Sequence, residues 1–210
     1  LVGSLVCLLP THTPHHTHTH TSPRAIPSLS LVSVLLCRGL ESLLLNQMEG
    51  NLDDDARIKL SIGTKQQGDA DGQFRVPMGL AFDHHRSLLF VADNNNHRVQ
   101  VFSCDDGSFV SKFGEKGDQP GQFFHPWGIA IDHDHDRILV VDFANNRVQS
   151  WSLSDQSLLS YIGHDAELYF PQDVAIDKPH HRIIITDTDN DRLVFLSSID
   201  LSFLFSIGSK

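Results

Sequence analysis

Cysteine is scarce in this sequence, and the few residues present are poorly placed to build a scaffold. The three cysteines, Cys7, Cys37 and Cys104, show neither a CxxC spacing nor an even pairing. Disulfide frameworks and cysteine-rich zinc modules both depend on such spacings. The sequence therefore predicts neither, and it favours a cytoplasmic location over secretion.

Long apolar runs are also missing. The apolar stretch at residues 1–9 ends at Pro10, too short to cross a bilayer, and it lacks the basic start of a secretory signal. We expect no membrane partner from this pattern.

An excess of positive charge is absent as well. The formal net charge is −10 at pH 7, which repels phosphate backbones and disfavours RNA as a partner.

Motifs that would carry catalysis are not found. The chain has no G-x-S-x-G, P-loop or H-E-x-x-H sequence, and no Ser, His and Asp set stands out by spacing. The D-x-D-x-D run that begins at Asp187 resembles the start of a calcium loop, but Arg192 and Ser198 stand where an EF-hand needs Gly and Glu. We therefore nominate no catalytic residue, no cofactor and no metal site.

The sequence does contain a repeat, with offsets of 49 and then 45 residues. Four markers keep the same phase along the chain: Pro77, Pro126 and Pro171; Asp93, Asp142 and Asp187; Arg98, Arg147 and Arg192; Gly114, Gly163 and Gly208. Each unit contains four short β-type runs. Such a period with four strands per unit is typical of a β-propeller blade.

Three complete blades are predicted, at about residues 72–114, 121–163 and 169–208. Each opens with a Pro-x-Gly or Pro-x-Asp turn that leads into an innermost strand. Small residues, Ala81, Ala130 and Ala175, lie in the middle of that strand, where we expect the blades to converge. The second strands are continuous apolar runs, as expected for sheets buried on both faces.

The most regular signature is D-x-x-N-x-R between the second and third strands. Its members are Asp93, Asn96 and Arg98; Asp142, Asn145 and Arg147; Asp187, Asn190 and Arg192. Asp and Asn are residues that close turns and tolerate positive φ. We expect each Arg to reach the turn carboxylate or a neighbouring blade.

This pattern resembles the NHL repeat. The P-x-G-I-A-x-D opening, the V-x-D-x-x-N-x-R centre and the F-G-x-x-G-x-x-x-G-Q-F link cover about residues 63–208. No Trp-Asp or Gly-Gly pair is present, so WD40 and kelch signatures are absent. The third link departs from the pattern, because Glu167, Leu168 and Tyr169 replace Gly-Gln-Phe.

The chain before the repeats has a different character. Residues 1–55 are predicted to be a largely disordered segment with a histidine-rich tract and a short helix within Ile26 to Leu45, and residues 56–210 the propeller. Arg57 to Ile62 alternates polar and apolar residues and ends like a fourth strand, so we predict an orphan strand of a further blade. Three blades do not close a ring, and since residue 1 is Leu we expect a partial chain that self-associates through open blade edges.

Two groups of side chains are candidates for binding. His84, His85, His133, His135, His180 and His181 recur at the turn after each first strand. We expect neighbouring blades to hold them too far apart to share a metal ion. The links carry Phe74, Phe123, Phe124, Trp127, Tyr169 and Phe170, and most of these are expected to pack between blades. Trp127, inside a Pro-x-Gly turn, is our candidate partner contact.

The resemblance implies a non-catalytic scaffold that binds a protein partner. NHL propellers often follow RING and B-box domains in ubiquitin ligases, where they choose the substrate. Two alternatives remain open. One is a zinc enzyme similar to peptidyl-hydroxyglycine lyase, which requires secretion, disulfides and a closed ring. The other is RNA binding, for which Arg98, Arg147 and Arg192 are the candidate basic residues.

Overall fold

The computed structural model describes residues 61–64, 66–163 and 166–208. The predicted N-terminal segment 1–55, with its helix and histidine tract, lies outside the described residues. So does most of the predicted orphan strand; its end, Ser61 and Ile62, forms no strand. The part of the chain that the structure describes contains no helix with the length and apolar character of a membrane-spanning segment.

Within the described ranges, twelve strands form three antiparallel sheets of four, and within each sheet the strand order follows the chain. Blade 1 consists of β1 (Pro77–Asp83), β2 (Leu88–Asp93), β3 (Arg98–Ser103) and β4 (Phe109–Phe113). Blade 2 consists of β5 (Pro126–Asp132), β6 (Arg137–Asp142), β7 (Arg147–Ser152) and β8 (Leu158–Ile162). Blade 3 consists of β9 (Pro171–Asp177), β10 (Arg182–Asp187), β11 (Arg192–Ser197) and β12 (Phe203–Gly208). The prediction of three complete four-stranded blades is confirmed.

The turns that join second to third strands have one geometry in all three blades. Each is a short 3-10 turn, Asn94–Asn96, Phe143–Asn145 or Thr188–Asn190. The next residue adopts a left-handed conformation, with φ between 51° and 56° at His97, Asn146 and Asp191. Short polar side chains tolerate this conformation better than β-branched ones. These turns lie at one end of the blades, which we call the upper face; the turns that join first to second strands form the lower face.

Neighbouring blades bury their facing apolar sides. Phe90, Val99 and Phe113 of blade 1 pack with Ile138 and Trp151 of blade 2. A second cluster joins blades 2 and 3 through residues at the corresponding positions. Apolar burial of this kind, at roughly 25 cal/mol per Å², is the main force that holds the stack together.

The innermost strands approach each other most closely at glycine. A Cβ on Gly79 would lie 2.2 Å from the Trp127 carbonyl oxygen, and one on Gly128 would lie 2.6 Å from Asp173 Cα. The sequence interpretation placed this convergence at the alanines of the same strands. Ala81 and Ala130 pack against the following blade, and Ala175, on the side of blade 3 that no described blade covers, is exposed.

Candidate interaction face

A buried carboxylate organises each turn of the upper face. In blade 2, Asp142 Oδ2 accepts hydrogen bonds from Asn145 Nδ2 at 2.9 Å and from Arg147 Nε at 2.7 Å. Its Oδ1 accepts the Phe124 backbone N–H at 2.7 Å. Burial raises the pKa of the Asp142 carboxyl, and these hydrogen bonds act against that rise. The signature is therefore a structural clamp around one charge.

The arginine of the signature extends the clamp to the link before its blade. Arg147 Nη1 donates to the Asp118 carbonyl at 2.8 Å, and Nη2 donates to the carbonyls of Gln119 and Gln122 at 2.9 and 2.8 Å. Arg98 makes the same set of bonds to the carbonyls of Asp69, Ala70 and Gln73. Arg192 reaches the carbonyls of Ala166 and Glu167 in the shorter third link. The expected Arg–Asp contact is present in every blade.

A glutamine two residues after the arginine completes the clamp in two blades. Gln149 Nε2 donates to Asp142 Oδ2 at 3.0 Å and to the Gln122 carbonyl, and its Oε1 accepts the Gly121 N–H at 3.0 Å. Gln100 does the same in blade 1, whereas blade 3 has Val194 at this position. Sequence reasoning missed these glutamines, although their recurrence two residues after Arg98 and Arg147 was a usable signal.

The clamp has a consequence for recognition. The arginine side chains are at most 9% exposed, and their nitrogens donate to the turn carboxylate and the link carbonyls. They hold the link in place and present no basic surface to a ligand.

The histidines of the lower face lie closer together than expected. The rings of His85 and His133, from adjacent blades, have centroids 4.7 Å apart and meet edge to face. The expected separation was wrong for this pair, because the two side chains meet across the junction. Arg86 also crosses this junction to Asp136 at 3.2 Å. Burial lowers the pKa of His133, against the opposing effect of Asp83. Among the described residues, no group of three or more His, Cys, Asp or Glu side chains is arranged to hold a metal ion.

Aromatic side chains form a continuous row on the upper face, and the structure brings Trp127 into it. The centroid distance is 4.7 Å from Trp127 to Phe143, 5.0 Å from Phe143 to Phe170, and 4.8 Å from Phe170 to Tyr169. Trp127, Phe143 and Phe170 are half-buried and Tyr169 is exposed. We call these four residues the aromatic row.

The remaining link aromatics lie elsewhere. Phe123 is fully buried between blades 1 and 2, and Phe74 packs on the outer side of blade 1. Phe124 stacks on the ring of His97 at 5.4 Å. Half of the six link aromatics therefore pack within or between blades, whereas the sequence predicted this for most of them.

A depression of about 490 Å³ adjoins the aromatic row where the innermost strands meet. It is lined by Met78, Gly79, Trp127, Gly128, Gln172, Asp173, Thr186 and Thr188. Two of the three residues that follow the marker prolines, Trp127 and Gln172, are only half-buried there, and Met78 is exposed. The upper face thus combines a hydrogen-bonded base, a concave centre and accessible aromatic surface.

Comparison with known families agrees with this architecture. Residues 81–178 match the DUF5128 family model, described as a 6-bladed beta-propeller. Together with the three stacked sheets, the match identifies a β-propeller domain.

One curated relative and several solved structures are similar to the chain. Protein brain tumor of Drosophila melanogaster is 44% identical over 48 residues, which are 23% of this chain and 4% of that protein. A putative exported protein from Bacteroides fragilis aligns with a TM-score of 0.54 at 19% identity, over 77% of this chain and 45% of that one. Hydrazine synthase of Kuenenia stuttgartiensis aligns with a TM-score of 0.54 at 13% identity, over 72% of this chain and 40% of that one.

At identities of 13% and 19%, the two solved structures share only the fold with this chain. This chain spans less than half the length of both, and a small part of the curated relative.

Proposed function

We propose that this chain is a non-catalytic, NHL-type propeller scaffold that binds a protein partner through the aromatic row of its upper face. We further propose that the chain selects the substrate of a ubiquitin ligase, and that the bound partner is this substrate.

The observation that carries the proposal is the aromatic row itself. Four rings from two blades lie in contact beside a concave centre, and each keeps part of its surface in solvent. Large aromatic side chains on a rigid base are typical of residues that dominate protein–protein affinity.

The clamps supply the rigidity that such a surface needs. Phe124, which leads into the turn of Trp127, is held through its backbone N–H by Asp142. Tyr169 is held in the same way by Asp187 at 2.7 Å. The row is therefore presented by a preorganised backbone, which lowers the entropic cost of binding.

The NHL assignment draws on two further features. The D-x-x-N-x-R marker recurs in phase in all three units and the Pro-x-Gly and Gly-Gln-Phe markers in the first two. In addition, 48 residues are 44% identical to Protein brain tumor. Both are consistent with an NHL repeat as the finer description of this propeller.

The test is affinity capture with matched variants. We expect Trp127→Ser to lose a partner that both the wild type and Phe203→Ser retain, because Phe203 is an exposed aromatic residue at the start of the outer strand β12, away from the row. The captured protein is then purified and titrated against all three chains by calorimetry. If every captured protein binds Trp127→Ser as tightly as the wild type, the proposed surface is wrong.

The ligase role has its own readout. We expect ubiquitylation of the captured partner in cells to fall when Trp127→Ser replaces the wild-type chain. Unchanged ubiquitylation with lost binding would leave a scaffold but remove the ligase role.

The alternatives predict different results. Retention of single-stranded RNA on filters at low salt, lost steeply as salt rises, would favour RNA binding over a protein partner. Stoichiometric zinc after dialysis would favour the lyase-like enzyme.

A further inference from the structure

One side of blade 3 has the surface of a blade interface, but none of the blades that the structure describes lies against it. At the matching position of the last strand, Phe113 is 8% exposed and Ile162 is 9% exposed, because the following blade covers each of them. Ile207 occupies that position in blade 3 and is 56% exposed. The strand register places further apolar residues on the same side, which we call the open face: Ala175, Ile184, Leu193, Phe195, Phe205 and Ile207.

Blade 1 shows a complementary deficiency over part of its opposite side, where Leu89, Val91 and Phe102 are buried against Ile62 and Phe74 but Leu80 is not. Ile129 in blade 2 and Val174 in blade 3 are 6% and 5% exposed, because a preceding blade covers them. Leu80 is the matching residue of blade 1 and is 36% exposed. We call this side of blade 1, with Leu80, Phe82 and Phe109, the receiving face. The molecule therefore carries one half of an interface at each end of its stack.

We infer that a second copy of this chain places its receiving face on the open face, and reciprocally, so that two chains close a ring of six blades. A head-to-tail contact that closes after one further copy gives a two-fold axis, which here coincides with the propeller axis. Both new junctions then continue the two junctions already formed within each chain. Six is also the blade number in the description of the matching family model.

Hydrogen-bonding groups support this pairing at the upper face. At each existing junction, the residue after the 3-10 turn accepts a backbone N–H from the next blade. His97 Nδ1 accepts the N–H of His125 at 3.1 Å, and Asn146 Oδ1 accepts the N–H of Phe170 at 2.8 Å. Asp191 is the matching acceptor of blade 3.

The matching donor is found in blade 1. Val76 precedes the marker proline of its blade, as His125 and Phe170 do, and all three have positive φ. The Asp191 carboxylate of one chain thus pairs with the Val76 N–H of the other, and the charged acceptor strengthens the bond.

An arginine at the edge of the open face supports the same geometry. Arg137 of blade 2 crosses to the Ser198 carbonyl of blade 3 and is buried. Arg182 is the matching residue of blade 3, and its guanidinium lies over the Phe205 ring, 5.4 Å from the centroid. A second copy brings a backbone carbonyl to Arg182 in the same way.

The short segment at residues 61–64 occupies the place that the second copy needs. Gly63 lies against Phe74 as Gly114 lies against Phe123 in the next link. Residues 61–64 form no strand, whereas β12 of a second copy belongs to a complete four-stranded sheet. The second copy therefore displaces this segment, and its Gly208 takes the place of Gly63.

The experiment is sedimentation velocity on the full 210-residue chain and its variants. We expect the wild type to form a particle of about twice the 23.4 kDa chain mass. Ile207→Asp should weaken self-association at least about tenfold, because it places a carboxylate in an apolar junction. Leu159→Asp is the matched control, since Leu159 is 54% exposed on the last strand of blade 2, and it should dimerise like the wild type.

Three further variants separate the ring from other dimers. Leu80→Asp on the receiving face should weaken the dimer as Ile207→Asp does. Asp191→Gly keeps the left-handed turn but removes the acceptor, so it should weaken the dimer, whereas Asp191→Asn should retain it because Asn146 fills this role in blade 2. Far-UV circular dichroism checks that each variant keeps its strands.

Each contrary result has a clear meaning. A monomeric wild type, or a species larger than a dimer, overturns the proposal. A dimer that survives Ile207→Asp does not use the open face and also overturns it. A dimer that Ile207→Asp breaks but Leu80→Asp leaves intact joins blade 3 to blade 3, which excludes the ring. None of these readouts depends on partner binding through Trp127, so the two proposals fail separately.

Discussion

Arg147 donates through Nε to Oδ2 of Asp142 over 2.7 Å, and both side chains are buried. The pair connects strand β7 to the turn that precedes it, and the remaining guanidinium nitrogens of Arg147 hold the link from blade 1. One ion pair thus fixes a turn, a strand and a link at once.

The first prediction concerns this pair. Arg147→Lys keeps the charge but cannot donate to a carboxylate and three carbonyls together, and we expect it to lower the free energy of unfolding by about 2–4 kcal/mol. Urea denaturation followed by circular dichroism measures the loss. Arg86→Lys is the control, because the Arg86 side chain is 40% exposed, and it should cost no more than about 1 kcal/mol. Equal losses in the two variants would refute the clamp.

The second prediction concerns the close approach of the innermost strands. Gly79→Ala would place a Cβ 2.2 Å from the Trp127 carbonyl, so the first two blades must separate, at a cost of about 3 kcal/mol or more. Gly72→Ala is the comparison: no heavy atom lies within 4 Å of its added Cβ, but its φ is +79°. Its cost should be about 1–2 kcal/mol, from backbone strain alone. A Gly79→Ala protein as stable as Gly72→Ala would show that the strands have room.

The third prediction concerns pH. Burial lowers the pKa of His97 below its ordinary value of 6.5, with His125 and Lys116 acting in the same direction and Asp93 opposing them. The unfolded chain therefore binds a proton at His97 more readily than the folded chain, and stability falls as the pH drops below about 6.5. Protonation also removes the Nδ1 acceptor for the His125 N–H.

Asparagine offers a non-titrating replacement, because Asn146 serves at the same position in blade 2. We expect His97→Asn to match the wild type in melting temperature at pH 7.5 and to exceed it at pH 5.5. The histidines that do not contact His97 are common to both proteins and cancel in the difference. If the melting temperatures of His97→Asn and the wild type differ by the same amount at both pH values, the assignment of this pH dependence to His97 is wrong.

The fourth prediction concerns an unpaired donor. Among the described residues, Trp151 Nε1 is a buried side-chain nitrogen without a hydrogen-bond partner. Phe102 occupies the matching position in blade 1, so Trp151→Phe should fit and change the free energy of unfolding by no more than about 1 kcal/mol. Trp151→Ala should cost about 3–5 kcal/mol through the cavity it leaves. A large loss in Trp151→Phe would mean that the indole N–H has a partner in solution.

Much of the fold was readable from the chain because the markers repeat in phase. Pro126, Asp142 and Arg147 have counterparts in the other two units, and local chemistry dictates what each does: proline fixes φ, Asp accepts turn N–H groups, and Arg pairs with Asp. Such effects act over a few residues, so spacing alone reveals them. The three blades, their strands and the Arg–Asp clamps all followed from it.

The candidate binding face was only partly accessible in this way. Trp127 stood out because the other two units carry Met78 and Gln172 at the same position of the turn. Its contact with Phe143 is made within blade 2, but the extension of the row to Phe170 and Tyr169 depends on how blade 3 packs against blade 2. Spacing within one unit carries no information about that packing. The same holds for His85 and His133, which meet across a junction.

The sequence by itself determined the repeating unit, since period, turn chemistry and alternation are local properties of the chain. The tertiary structure decided which copies of each residue are covered, because burial at a position depends on a neighbouring blade. Phe113, Ile162 and Ile207 are equivalent in the repeat, yet two are buried and one faces solvent. Position in the stack makes that difference.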